Sequence, residues 1–183
     1  LPYIWYWHYT QDVEWLRTAG YPYLREVAAF WEDYLKLEPA PPSSGDSSPD
    51  GLRRPGVGPD GPSAALRAGK MRYVIYNDAI HEGSGNNLNP ILSLGLVRTL
   101  FKSMIPMSVE LGVDADKRAK WRDILDKLSD YPLQERGGKT VFRYSEKGMA
   151  WYPSNTLGIQ HIFPSGAIDL DSVETKVVFG ADR

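Results

Sequence analysis

The chain has 183 residues, 42% apolar and 12% aromatic, enough to bury one substantial core, so one globular domain is expected. A formal net charge of -2 and a pI near 5.9 leave no basic surplus for phosphates, which sets nucleic acid aside and suits a small neutral substrate. Cysteine is absent, which excludes disulfides and thiolate metal sites, and no run of about 18 apolar residues predicts a membrane span.

The start Leu1-Pro2-Tyr3-Ile4-Trp5 has neither an initiator methionine nor a basic region ahead of an apolar stretch. It does not read as a signal peptide, and both ends read as cut from a longer chain. Trp5 to Tyr9 looks like the end of a helix, and Asp12 can cap a short one carrying Val13, Trp15 and Leu16. Leu24, Val27, Ala28, Trp31, Tyr34 and Leu35 then fall at helical spacing, with Pro22 where a first turn tolerates it, predicting a helix over 22–37 and a helical hairpin.

Residues 39–69 hold half of the 14 prolines and no aromatic residue. Their charges cancel, Asp46, Asp50 and Asp60 against Arg53, Arg54 and Arg67, so they read as a disordered surface insertion within the domain. Arg72 to Tyr76 reads as a short extended segment feeding a loop from Asn77 to Asn89. Pro90 opens an apolar helix predicted over 90–111, with Gly95, Thr99 and Ser103 among a small-residue face and a kink or break at Pro106. Asp114 or Asp116 starts a further helix over 115–129, with Trp121, Ile124, Leu125 and Leu128 as its buried stripe. From Tyr131 to Pro164 the chain is loop-rich, with Thr140 to Tyr144 as the one convincing strand-like run and strand content low throughout.

Paired helices with long loops at alternate ends suggest an all-α fold, an (α/α)6 toroid with a loop-rich active-site end. The stretch Trp7-His8-Tyr9-Thr10-Gln11-Asp12-Val13-Glu14-Trp15-Leu16, followed by Tyr21-Pro22 and Glu26 to Leu35, resembles a helical hairpin recurrent among six-hairpin glycosidases. Tyr76-Asn77-Asp78-Ala79-Ile80-His81-Glu82-Gly83, with Asn89-Pro90-Ile91-Leu92-Ser93-Leu94-Gly95, is similar to the acid-bearing loop and following helix of glycoside hydrolase family 95. Gly158-Ile159-Gln160-His161-Ile162-Phe163-Pro164 resembles that family's His-bearing segment. The family includes α-L-fucosidases and α-L-galactosidases, and the resemblance implies Glu82 as general acid. It also implies a partial barrel: the family's base machinery lies in regions beyond these residues, so the missing barrel half is expected from the parent chain. His81 stands before Glu82 where the family has proline, and a single His161 replaces a His-Arg-His pattern, so the sugar is not carried over.

The residues bear weighing without the resemblance. Glycoside hydrolysis needs a protonated carboxyl at the leaving oxygen and a second group that activates water or attacks the sugar. Glu82 sits among His81, Asn86, Asn87 and Asn89, polar groups able to contact hydroxyls, with Gly83 and Gly85 permitting close approach; taken without the resemblance it reads rather as a solvated loop glutamate, and the resemblance turns the reading to the acid. Asp78 reads as a turn residue rather than a partner carboxylate. Glu135 and Glu146 lie near Arg136 and Arg143, which suggests surface ion pairing; alternatively Glu146 lines a sugar pocket. Trp151, in a loop beside Tyr144, could stack on a sugar's C–H face, whereas most of the six tryptophans should be core. His8, His81 and His161 match no metal pattern, and Glu82-Gly83-Ser84-Gly85 lacks the ending of a phosphate loop.

The reading is an inverting glycoside hydrolase acting on a glycan or oligosaccharide, with a related phosphorylase behind it and no metal or cofactor. Glu82 is its acid, and His81, Asn87, Asn89, Glu146, Trp151 and His161 are its substrate contacts. The alternative is a non-catalytic helical fragment, carbohydrate-binding or structural. The glycosidase resemblance favours a secreted or extracytoplasmic location.

Overall fold

The computed structural model describes residues 1–41, 71–80, 84–151 and 159–168. Helix α1 (Pro2–Thr10) ends at Gln11, whose left-handed φ of 53° lets its N–H return to the Trp7 carbonyl. Asp12 then accepts from the Trp15 N–H at 2.9 Å and starts α2 (Val13–Trp15), as its sequence position predicts. A π-helical segment (Leu16–Gly20) leads without interruption into α3 (Tyr21–Tyr34). Gly20 is needed there because a Cβ would lie 2.9 Å from Cη2 of the Trp15 indole. That indole covers the junction and packs on Tyr3 and Tyr6 of α1, with centroids 5.6 and 4.3 Å away. Leu16, Tyr21, Leu24 and Ala28 turn the apolar stripe of this unit inward.

The stripe packs on α4 (Ile91–Leu111), whose buried residues, Ile91, Leu94, Val97, Phe101, Met104 and Met107 among them, occupy several sides of the helix. Pro106 lies inside α4, which runs on to Gly112 rather than breaking. Helix α5 (Arg118–Lys127) packs on α4 through Trp121 and Ile124. It begins later than Asp114 or Asp116 because Asp114 is committed elsewhere, accepting from Tyr21 Oη and Arg25 Nε at 2.9 Å each. The two helices close each other's ends. Arg118 donates to the Ser108 carbonyl in the last turn of α4 and to the Val113 carbonyl just beyond it, and Arg98 donates to the Ser129 carbonyl beyond α5.

Two antiparallel pairs complete the fold. Strand β1 (Lys36–Pro39) pairs with β2 (Met71–Val74) in the register Lys36↔Val74 to Pro39↔Met71, which sets Pro39 beside Met71. Strands β3 (Leu133–Arg136) and β4 (Lys139–Phe142) form a hairpin turned by Gly137 and Gly138, at φ 59° and 73°.

The expected all-α (α/α)6 toroid is therefore corrected: the described residues combine helices with two antiparallel two-stranded sheets. The helix expected over 22–37 stops at Tyr34 because Lys36 to Pro39 find backbone partners in β2 instead. The expected insertion falls outside the described residues over 42–69, as does the tail from Glu174 to Arg183. Among the described residues no helix is long and apolar enough to cross a membrane.

Candidate active site

The loop that follows β2 is closed at its base by backbone and amide bonds. Asn77 takes a left-handed φ of 51°, a conformation asparagine tolerates, and turns the chain out of Ile75 and Tyr76. Asp78 and Asn87 then form an antiparallel bridge, each N–H donating to the other's carbonyl at 3.2 and 3.1 Å. The Asp78 carboxylate accepts from the Ala79 N–H at 2.7 Å and from the Ser93 hydroxyl on α4, so both its oxygens are engaged. Farther out, the Ile80 N–H donates to Ser84 Oγ at 3.1 Å. His81 and Glu82 lie between these two pinned positions and outside the described residues.

Asn87 is 3% exposed and its side chain is spent on the fold. Its amide donates to the Asp78 and Ser84 carbonyls, and its Oδ1 accepts from the Met149 N–H at 2.8 Å. Gly148, at φ 103°, makes room for that contact: a Cβ there would run into Asn87 Oδ1 and lie 3.1 Å from its Cγ. Asn89 is fully buried at φ 51°. Its Oδ1 accepts from the Ile75 N–H at 2.8 Å, and its Nδ2 donates to Glu146 Oε2 at 2.7 Å. Leu88 and Lys147 bridge the same two segments, with Glu146 N–H donating to the Leu88 carbonyl at 2.8 Å.

Glu146 is the centre of a second layer. Arg72, on β2, grips it with both terminal nitrogens at 2.8 and 2.9 Å and gives a further bond at 2.9 Å to Glu38 on β1. Tyr76 donates to the other oxygen of Glu38. The ion-pair partner of Glu146 is therefore Arg72, not Arg136 or Arg143. Partial burial pushes the Glu146 carboxyl up, but the hydrogen bonds from Arg72 and Asn89 and the Arg72 charge outweigh it and hold the group below the usual carboxylate range. Glu146 is thus an ionised acceptor at neutral pH. Glu135 takes the Thr140 hydroxyl instead.

Trp151 and His161 occupy different settings. Trp151 is 37% exposed, with the Arg136 guanidinium 4.0 Å over its ring and Tyr144 stacked at 5.5 Å. A sugar face would compete with Arg136 for that ring. His161 is fully buried against Phe142, 4.0 Å away, and Tyr131, 5.1 Å away, and neither ring nitrogen has a hydrogen-bond partner among the described residues. Burial first and the Arg98 charge second push its pKa down to about 4, so it is neutral at pH 7. Its segment is held by Gly95 and Thr99 of α4: a Cβ on Gly95 would run into Ser165 Oγ, and Thr99 donates to the Ser165 carbonyl at 2.7 Å.

The structure thus joins Asn87, Asn89 and Glu146 in one network with Asp78 and puts Trp151 and His161 outside that hydrogen-bond set. Arg72, Glu38, Ser93 and Ser145, whose hydroxyl donates to Asn87 Oδ1 at 3.4 Å, were not foreseen as members. Arg72 alone gave a signal, as a charged residue directly before the apolar run of β2. A shallow cleft lined by Arg25, Glu26, Ala29, Glu32, Lys117 and Trp121 contains none of the candidate residues. Among the described residues no group of three or more histidine, aspartate or glutamate side chains could hold a metal ion. No family model matches the sequence, and no curated protein matches it.

Proposed function

We propose that this chain carries the acid-bearing part of a glycoside hydrolase site acting on a glycan or oligosaccharide, with Glu82 as general acid. The observation that carries the reading is the fixed base of its loop: the Asp78–Asn87 bridge, tied to α4 through Ser93 and to the 145–149 segment through Asn87. A proton donor must be held within a fraction of an ångström of its leaving oxygen, and a loop anchored on both sides supplies such a mount. The resemblance of residues 76–95 to family 95 supplies the chemistry. Glu146, held ionised by Arg72 and Asn89, is a poor proton donor at neutral pH and does not compete with Glu82 for that role.

The test is hydrolysis of a panel of oligosaccharides and aryl glycosides, by these 183 residues and by any longer polypeptide their gene encodes. Release of a sugar whose first-formed anomer is inverted, followed by proton NMR, is the expected result. Absence of sugar release by the longest polypeptide would sink the reading.

One observation favours a second reading, a non-catalytic structural fragment. The side chains of Asn87, Asn89 and Glu146 are all consumed inside the protein, which leaves them little capacity for substrate hydroxyls. Absence of both turnover and calorimetric glycan binding by the longest polypeptide would select it.

A further inference from the structure

Strand β2 and the Asn89 segment meet at Glu146, and β1 joins them through Arg72. The Glu146 carboxylate receives both terminal nitrogens of Arg72 on β2 and the Asn89 amide, while Arg72 also reaches Glu38 on β1. Asn89 is itself doubly tied to Ile75, its N–H donating to the Ile75 carbonyl and its Oδ1 accepting from the Ile75 N–H, both at 2.8 Å. The Glu146 backbone adds a bond to Leu88, and Leu88 adds one to Lys147. The exit of the 78–89 loop is therefore held between β2 and the 145–149 segment, with one carboxylate joining the two sides. Among the described residues both carboxylate oxygens of Glu146 are engaged: Oε1 faces Arg72, and Oε2 faces Arg72 and Asn89.

From this geometry we propose that Glu146 is a positioning residue, whose carboxylate, received by Arg72 and Asn89, fixes the exit of the 78–89 loop and so sets where that loop presents its groups. This rests on the proposed function for what the loop presents, but the clamp is built from described residues alone. Charge-assisted, bidentate bonds are the strongest of the ordinary hydrogen bonds and impose direction as well as energy, which suits a mount better than a solvated contact. Gln in place of Glu146 keeps the shape but turns an N–H toward Arg72 or Asn89. Lys in place of Arg72 keeps the charge but loses the fork.

The experiment is amide hydrogen exchange on the full chain, comparing the wild type with Glu146→Gln and Arg72→Lys. Exchange at Asn87, Leu88 and Asn89 should rise by at least about tenfold in both variants, the factor implied by losing one charge-assisted hydrogen bond, while amides in the middle of α4 hold their protection. Asn89→Asp should loosen the same amides by setting two carboxylates against each other. The double variant Asn89→Asp with Glu146→Gln reverses the donor and acceptor and should recover part of the protection. Unchanged exchange in both single variants overturns the proposal. Loss of protection throughout α4 also overturns it, since Glu146 would then be a general stability residue.

A second arm separates this proposal from the function it rests on. With activity in hand, Glu146→Gln should slow alkyl glycosides by roughly tenfold to a hundredfold and aryl glycosides much less, with KM nearly unchanged. Equal slowing of both overturns the positioning role. Inactivity of the longest polypeptide together with locally raised exchange overturns the glycosidase reading and leaves the clamp standing.

Discussion

Replacing Gly148 by alanine tests how tightly the loop base is held. Two costs add at this position. The φ of 103° lies where side-chain-bearing residues are strained, about 1–3 kcal/mol. The new methyl would also run into Asn87 Oδ1, which cannot swing away freely because it accepts from Met149 while the same amide donates to Asp78. Overpacking of this kind costs about 1–3 kcal/mol, so the sum is roughly 2–6 kcal/mol. Gly137→Ala is the internal control: its φ of 59° carries the backbone cost, but nothing lies within 4 Å of the added methyl. That variant should lose only about 1–2 kcal/mol. Urea denaturation of the two variants beside the wild type gives both numbers. If Gly148→Ala costs no more than Gly137→Ala, the Asn87 side chain is not clamped and the reasoning about the loop base fails.

Gly95→Ala should cost about 1–3 kcal/mol by forcing Ser165 away from α4, and exchange at Gly166 and Ile168 should rise first; an equal rise throughout α4 would contradict this. His161 should make stability pH-dependent. Its folded pKa of about 4 lies below the ordinary 6.5, so the unfolded chain takes up the proton first. Its contribution is complete above pH 6.5 and falls by about 3 kcal/mol as the pH drops toward 4. His161→Leu should flatten that part of the stability profile, and an unaltered slope would refute the buried, neutral assignment. Asp12→Ala should lose about 0.5–2 kcal/mol through the Trp15 N–H it leaves uncapped, measured by thermal unfolding, and no loss would show the cap to be idle.

The elements legible in the sequence were those made by local forces. The stripe of α3, the Asp12 cap and the small-residue face of α4 follow from spacing within one or two helical turns, and each is present. What the sequence did not disclose depends on partners far along the chain. Lys36 to Pro39 carry no strand pattern of their own and become β1 only because Met71 to Val74 return beside them. Leu133 to Arg136 are a polar run that becomes β3 through the Gly137–Gly138 turn, a dipeptide suited to a hairpin. At the site, the asparagines after Glu82 were readable as polar but not as buried. Asn87 and Asn89 serve the backbone of their own loop and of Ile75, and nothing in the local sequence announces Arg72 as the partner of Glu146.

Replacement of Glu82 by glutamine, in whichever polypeptide shows activity, is the most direct measurement of the central claim. The amide keeps shape and hydrogen bonding but has no proton to give, so an alkyl or sugar leaving group should depart roughly a hundredfold to ten-thousandfold more slowly. A nitrophenolate needs little protonation. Its glycoside should lose far less, and the high-pH limb of its rate profile should flatten. Equal slowing of both substrates would contradict the account and remove Glu82 from the role of acid.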